Sequence, residues 1–290
     1  MKVGIIGTGN IGSDLLAKVL KSQKLECGIF AGRDMQSQGI LRARKLGIPV
    51  TDESISYIID NPECCEIVFD ATTAETHKKN APILKHLGKY AIDLTPAHVG
   101  KFCIPIINAQ ESMQADNINM ITCGGQATVP IACAIARIHP ETEYIEIVST
   151  IASKSAGPGT RNNIDEFTQT TREALKHFTG IKNAKAIITL NPAEPPITMH
   201  NTVYAMVNRP KMESIVKAVK HMEAEIRRYV PGYRILTGPV YENGRITITL
   251  QVEGSGDFLP RYAGNLDIIT CAAVEMAERY ARMRNGEEQR

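Results

Sequence analysis

The segment TCGGQATVP, Thr122–Pro130, sets a cysteine ahead of two glycines and then opens into the apolar run IACAIARI. Cys123 follows INMIT, so it is expected near the carboxyl end of a strand. In an open α/β sheet that is the edge where ligands bind. A helix starting there offers free N–H groups and a dipole that favour thiolate over thiol. The two glycines are expected to keep the approach open, and Pro130 to lie in an early helical turn. The plain structural alternative is a buried apolar cysteine, which is how Cys133 reads.

A second group of residues, Gly7-Thr8-Gly9-Asn10-Ile11-Gly12, fits G-x-G-x-x-G between an apolar run, KVGII, and a helical pattern, which is the context that gives this motif weight. Gly7 permits the tight turn, Gly9 lets the backbone approach a pyrophosphate, and Gly12 lets helix and strand pack closely. The helix N-terminus supplies N–H donors for phosphate. A tight βα turn without a ligand is the alternative. The next strand, LECGIFAG, runs into Arg33 and Asp34. An acidic residue there reads the ribose of NAD and an arginine accommodates the extra phosphate of NADP, so NAD is expected and NADP stays open.

A thiolate beside a dinucleotide suggests one chemistry in particular. The thiolate adds to an aldehyde to give a thiohemiacetal, hydride leaves to the nicotinamide, and the remaining thioester passes its acyl group to an acceptor. Backbone N–H groups after Cys123 are candidate donors to the oxyanion.

The elements that must position these groups follow from hydrophobic periodicity. Short apolar strands, KVGII, LECGIFAG, EIVFDAT, YAIDLTP and INMITCGG, alternate with helical segments, which implies an α/β Rossmann-type doubly wound parallel sheet. After about residue 140 the texture changes. EYIEIVSTIAS, AKAIITLNP, NTVYAMVN and RITITLQVEG are β-rich, half-polar and separated by longer helices, which predicts an α+β second domain with an antiparallel sheet and helices on one side. We expect a dinucleotide-binding domain over 1–125, an α+β catalytic and oligomerisation domain over 126–264, and a final helix over 265–290 packing back on the first domain.

Composition excludes several classes. A net charge of +2 gives no electrostatic footprint for nucleic acid, and no apolar run reaches the length of a membrane span. The start, MKVGIIGTGN, lacks the h-region and cleavage site of a signal peptide, and none is expected. Seven scattered cysteines with no CxxC pair and no Cys/His spacing point to a reduced, cytoplasmic setting and to no metal.

The chain resembles the acylating acetaldehyde dehydrogenases, which make acetyl-CoA from acetaldehyde, NAD and coenzyme A. The segments that carry the resemblance are GTGNIGSDLL, VFDATTAETH, IDLTPAHVG, NMITCGGQATVP, IASKSAGPGTRNNIDEFT, NPAEPP, YVPGYR and LPRYAGNLDIIT, in order over nearly the whole chain. It implies a second domain like the C-terminal domain of glyceraldehyde-3-phosphate dehydrogenase. It places the acyl-thioester nucleophile on Cys123 and NAD phosphate contacts on Thr8, Gly9, Asn10 and Ile11 within the Gly7–Gly12 turn. It places a further nucleotide-site loop on Ser155, Ala156, Gly157, Pro158, Gly159, Thr160, Arg161, Asn162 and Asn163, and a cofactor contact on Asn265. Lys154 and Arg161 stand ready to hold phosphate. A surface turn before a helix is the plain alternative for that loop.

The resemblance further implies activity on propanal, a homo-oligomer through the second domain, and a 4-hydroxy-2-oxovalerate-type aldolase partner in meta-cleavage catabolism of aromatic compounds. The aldehyde would enter past Asn163 and Ile164. Two departures stand out. Asn201 occupies the place of an aspartate that supports the thiol in many relatives, with His200 before it as a candidate base. The stretch YRILTGPVYENGRITITL is shorter than its counterparts. The rival enzyme is a phosphorylating aldehyde or semialdehyde dehydrogenase, although none of its motifs is found. The rival from another class is a dinucleotide-sensing scaffold with an unreactive Cys123.

Overall fold

The computed structural model describes residues 1–157, 160–161 and 164–287. The chain divides into two compact units, Met1–Met120 with Ile269–Arg290, and Ile121–Ile268.

The first unit is built on a parallel sheet. Its strands are β1 (Lys2–Ile6), β2 (Glu26–Ala31), β3 (Val50–Thr51), β4 (Ile67–Asp70), β5 (Tyr90–Asp93), β6 (Lys101–Phe102) and β7 (Asn117–Asn119), in the order β3-β2-β1-β4-β5-β7-β6. The order reverses between β1 and β4, the switch point at which doubly wound sheets bind ligands. Its strands are apolar and buried because helices cover both faces of such a sheet: Val3, Ile5 and Ile6 of β1, and Ile67, Val68 and Phe69 of β4, are all fully buried. The helices of this region are α1 (Asn10–Val19), α2 (Gln38–Lys45), α3 (Ile55–Asp60), α4 (Ala74–His86) and α5 (Pro105–Ser112). The short elements β3, α3, β6 and α5 carry too little periodicity to be read from sequence.

The second unit opens with α6 (Cys123–Ile138) and holds β8 (Tyr144–Ala152), α7 (Ile164–Thr179), β9 (Asn183–Asn191), β10 (Met199–Met206), α8 (Met212–Arg227), β11 (Tyr233–Glu242) and β12 (Arg245–Val252). The sheet order is β11-β12-β10-β8-β9. The expected antiparallel pairing holds for β11–β12, β12–β10 and β10–β8, but β8 and β9 are parallel. The reason is the connection: α7 lies between them, and a helical crossover returns the chain in the same direction. Alternate residues form the buried face, Ile145, Ile147, Ser149 and Ile151 on β8 and Met199, Asn201, Val203 and Ala205 on β10. The β11–β12 turn is Asn243-Gly244, with φ of 52° and 78°, as a two-residue hairpin of this twist requires. The last helix, α9 (Gly264–Arg284), is continuous, and its residues from Ile269 onward belong to the first unit. There Tyr280 stacks on Tyr90 at 4.0 Å and Ser22 donates to Glu278 at 2.6 Å. Among the described residues no helix is long and apolar enough to cross a membrane.

Candidate active site

The glycine turn is built as its sequence requires. Gly7 has φ of +103°, and a Cβ there would lie 2.5 Å from the Ala71 carbonyl oxygen. A Cβ on Gly12 would lie 1.8 Å from the Gly7 oxygen, so α1 can approach β1 only with glycine. Gly9 differs: a Cβ built on it meets nothing within 4 Å. Its glycine is demanded by no neighbour in the protein, and the vacant space lies at the first turn of α1, where Gly9 is the N-cap without a side-chain cap. That is the cradle a pyrophosphate needs. Thr8 Oγ1 meets Ser37 Oγ at 3.3 Å, and a Cβ on Gly32 or Gly39 would collide with Thr8. Asn10 and Ile11 begin α1 with Asn10 exposed. Asp34 is engaged locally, accepting from the Gln36 N–H at 2.8 Å, while Arg33 is exposed.

In the second unit Cys123 is the first residue of α6. The turn into it is strained: Ile121, a β-branched residue, has φ of +63°. Thr122 caps the helix, accepting from the Gly125 N–H at 2.9 Å. Its hydroxyl also meets that of Thr171 at 2.7 Å, and Thr171 donates to the Phe167 carbonyl at 2.8 Å, so the Thr122 proton points to Thr171. The two glycines after Cys123 serve packing. A Cβ on Gly124 would sit 2.6 Å from Ser149 Oγ, and one on Gly125 2.7 Å from Ile121 Cγ2. Pro130 lies deeper than expected, and the helix runs through it to Ile138. Every residue from Cys123 to Ala136 is buried, and that packing outweighs one missing backbone hydrogen bond.

Burial also governs the thiol. It pushes Cys123 up to about 12, while hydrogen bonds from the backbone N–H groups of Gly124 and Cys123 pull it down. The helix start therefore supplies the expected donors, but desolvation outweighs them and favours the thiol. Cys133 is a core residue, fully buried, with its Sγ 3.6 Å from the Phe178 oxygen.

The structure separates His200 from Asn201. Asn201 pairs in register with Ser149, on the buried face that Gly124 abuts. His200 pairs with Thr150 on the opposite face, and its Nδ1 donates to the Thr198 carbonyl at 2.9 Å. A base on His200 would face away from the side of the sheet that carries Asn201 and Ser149. Asn201 is 1% exposed, and neither its Oδ1 nor its Nδ2 has a partner. Burying an amide unpaired costs roughly 1–3 kcal/mol, and both of its polar atoms are free to take a ligand's hydrogen bonds. Sequence reasoning missed Ser149, and no local motif points to it; it emerges only from the β8–β10 register.

The loop after β8 is held by its own residues. Ser155 donates to the Ala152 oxygen at 2.9 Å, and Arg161 donates to the Ala156 oxygen at 3.0 Å and the Ser153 oxygen at 2.7 Å. Lys154 pairs with Glu194 at 2.6 Å. Both cations read as phosphate ligands are thus committed within the protein. Asn265 reaches the same loop: its Nδ2 donates to the Ser155 oxygen at 3.4 Å, and its Oδ1 is buried without a partner. Ala156 is buried, Gly157 and Thr160 half-buried, and Ile164, the first residue of α7, is 38% exposed. Pro158, Gly159, Asn162 and Asn163 lie outside the described residues.

Comparison with known proteins agrees with both halves of this arrangement. Residues 2–115 match the family model described as semialdehyde dehydrogenase, NAD binding domain. Residues 123–260 match the one described as prokaryotic acetaldehyde dehydrogenase, dimerisation. An acetaldehyde dehydrogenase of Pectobacterium atrosepticum is 52% identical over 99% of this chain and 97% of its own length. One of Spirochaeta aurantia is 52% identical over 97% of this chain and 95% of its own. One of Geobacillus stearothermophilus is 51% identical over 97% and 96%. With a Rossmann-like sheet, a glycine turn open to phosphate and relatives of this identity along its whole length, the chain belongs to the acetaldehyde dehydrogenase family.

Proposed function

We propose that the chain oxidises acetaldehyde to acetyl-CoA with NAD and coenzyme A, through a thioester on Cys123. The observation that carries this reading is the placement of Cys123 as the first residue of a capped helix that is buried from Cys123 to Ala136. The Gly7–Gly12 turn holds the dinucleotide phosphates, with Gly9 giving the backbone access. When bound, NAD supplies the two-electron acceptor of the oxidation. Cys123 Sγ, once deprotonated, adds to the aldehyde carbonyl carbon, and the N–H groups at the start of α6 stabilise the oxyanion. Asn201 offers its amide to the oxygen or to the incoming thiol; it orients but takes no proton. Loss of a hydride from the adduct carbon to that acceptor would leave the thioester on Cys123; coenzyme A, as its thiolate, would then attack the thioester carbon, the acetyl group passing to its sulfur as Cys123 leaves as thiolate.

The rest of the reading follows the family. Propanal serves as a second substrate. A 4-hydroxy-2-oxovalerate-type aldolase delivers the aldehyde past Asn163 and Ile164, in the breakdown of aromatic compounds. The half-exposed face of the second sheet, with Tyr204 and His200, pairs with a second copy, in keeping with the matched dimerisation domain. Seven free cysteines support a reduced, cytoplasmic setting.

The test is NADH absorbance with acetaldehyde and NAD, adding coenzyme A or phosphate. Turnover sustained by coenzyme A alone supports the reading. Turnover sustained by phosphate instead would assign the chain to phosphorylating chemistry.

A further inference from the structure

Three adjacent strands of the first unit, β4, β5 and β7, each end on a fully buried polar residue: Asp70, Asp93 and Asn119. Burying two carboxylates on neighbouring strands is costly unless a cation joins them. His77, at the start of α4 and also fully buried, is that group. Its Nδ1 lies 2.9 Å from Asp70 Oδ2 and its Nε2 3.5 Å from Asp93 Oδ2. An imidazolium here hydrogen-bonds Asp70 through Nδ1 and holds its charge 3.5 Å from the Asp93 carboxylate. Asn117 Nδ2 lies 3.0 Å from Nε2, and Asn117 Oδ1 is buried without a partner. Turned toward Nε2–H, that oxygen becomes a third acceptor for the cation.

The electrostatics agree with the geometry. Burial alone would lower His77, but the Asp70 hydrogen bond and the charges of Asp93 and Asp70 outweigh it and raise it. Burial would likewise raise Asp70, yet the bonds from His77, Thr72 and Asn80 hold it below its ordinary value. Asp93, the more desolvated, is pushed up to about 7 against the His77 charge and the Thr95 and Asn119 hydrogen bonds. Among the described residues, the charged groups that act on His77 are Asp70 from β4 and Asp93 from β5; Asn80 of α4 bonds Asp70, and β7 brings Asn117 to His77 and Asn119 to Asp93.

Each carboxylate in turn fixes a loop at the carboxyl edge of the sheet. Asp70 Oδ1 accepts from the Thr72 N–H at 3.1 Å and from its hydroxyl at 2.5 Å. The Ala71–Thr72 peptide so held is the wall behind Gly7, whose Cβ would be 2.5 Å from the Ala71 oxygen. Asp93 Oδ1 accepts from the Thr95 N–H at 2.7 Å, and Asn119 bridges Asp93 and the Thr95 carbonyl at 2.7 and 3.1 Å. These loops lie on the β4–β5 side of the switch point, the half of a dinucleotide site that takes the nicotinamide.

We infer that His77, acting as an imidazolium between Asp70 and Asp93, is a positioning residue that fixes the two strand-end loops bearing the nicotinamide half of the dinucleotide site. The inference rests on the dinucleotide reading above, and the probe is NADH itself, followed by its fluorescence on the full-length protein. In the 15N-histidine spectrum of the wild type, one ring, absent from His77→Gln, titrates above the ordinary imidazole range. NADH affinity falls with rising pH at the same midpoint at which that ring titrates. His77→Gln binds NADH about tenfold more weakly and loses that pH step, whereas a merely structural role would lower thermal stability without moving it. A His77 ring that titrates no higher than an ordinary imidazole, or NADH affinity that ignores its titration, overturns the inference on the wild type alone, whether or not the variant folds. Tight NADH binding in a folded His77→Gln also overturns it and leaves the dinucleotide reading intact. No NADH binding by the wild type would sink both.

Discussion

Cys123 illustrates how burial changes the meaning of a residue. A cysteine at a helix start reads as an activated thiolate, and the donors are present, yet desolvation carries the thiol up to about 12. Thiolate then grows tenfold per pH unit throughout the accessible range. Alkylation of Cys123 by iodoacetamide in the free protein should therefore climb in log-linear fashion to pH 10. A plateau near neutrality would show a pre-formed thiolate. Asn201 makes the complementary point. Strand alternation lets only one of His200 and Asn201 face the buried side, and the register shows that it is Asn201, beside a Ser149 that no motif announces. Asn201→Ala should lower kcat by about 10²-fold, the scale of a lost transition-state hydrogen bond, with little effect on NADH binding. An unchanged kcat would remove it from the chemistry. Asp70, Asp93 and His77 were not singled out in the sequence, because their meeting depends on three strands and a helix lying side by side.

At the scale of elements, the glycine turn separates folding from binding. Gly12→Ala would drive a Cβ to 1.8 Å from a carbonyl oxygen and should prevent proper folding. Gly9→Ala meets no neighbour and has a compatible φ of −77°, so its thermal midpoint should match the wild type. Its NADH dissociation constant should rise about tenfold or more, because the methyl fills space meant for phosphate. Equal affinity in Gly9→Ala would dissociate the turn from the cofactor. The main strands and helices of the first unit were legible because apolar runs and 3.6-residue periodicity are strong in a buried parallel sheet. Two features were not. The β8–β9 pair is parallel because of the intervening α7, and sequence alternation alone carries no strand direction. Pro130 sits inside α6 because a helix buried all round gains more from packing than it loses at one N–H.

For the whole molecule, the buried carboxylates tie stability to pH. Asp93 in the folded chain keeps a proton up to about pH 7 that the unfolded chain releases near 4, so its contribution falls as pH rises across that window. The raised His77 works in the same sense: its contribution is complete below about 6.5 and is lost as pH passes its folded value. The depressed Asp70 opposes them, contributing above about 4 and losing that contribution on acidification. Asp93→Asn should thus cost more stability at pH 5 than at pH 8, by up to a few kcal/mol in urea unfolding. A pH-independent difference would contradict the assignment. The glycine turn lies in the first unit and Cys123 in the second. The central claim, an acyl-thioester on Cys123, is met most directly by mass spectrometry of the protein incubated with acetaldehyde and NAD but no coenzyme A. The account predicts one acetyl group on the peptide carrying Cys123, discharged by added coenzyme A and missing from Cys123→Ala, which still binds NADH. NADH formation with no acetyl on Cys123, or undiminished turnover by Cys123→Ala, would contradict it.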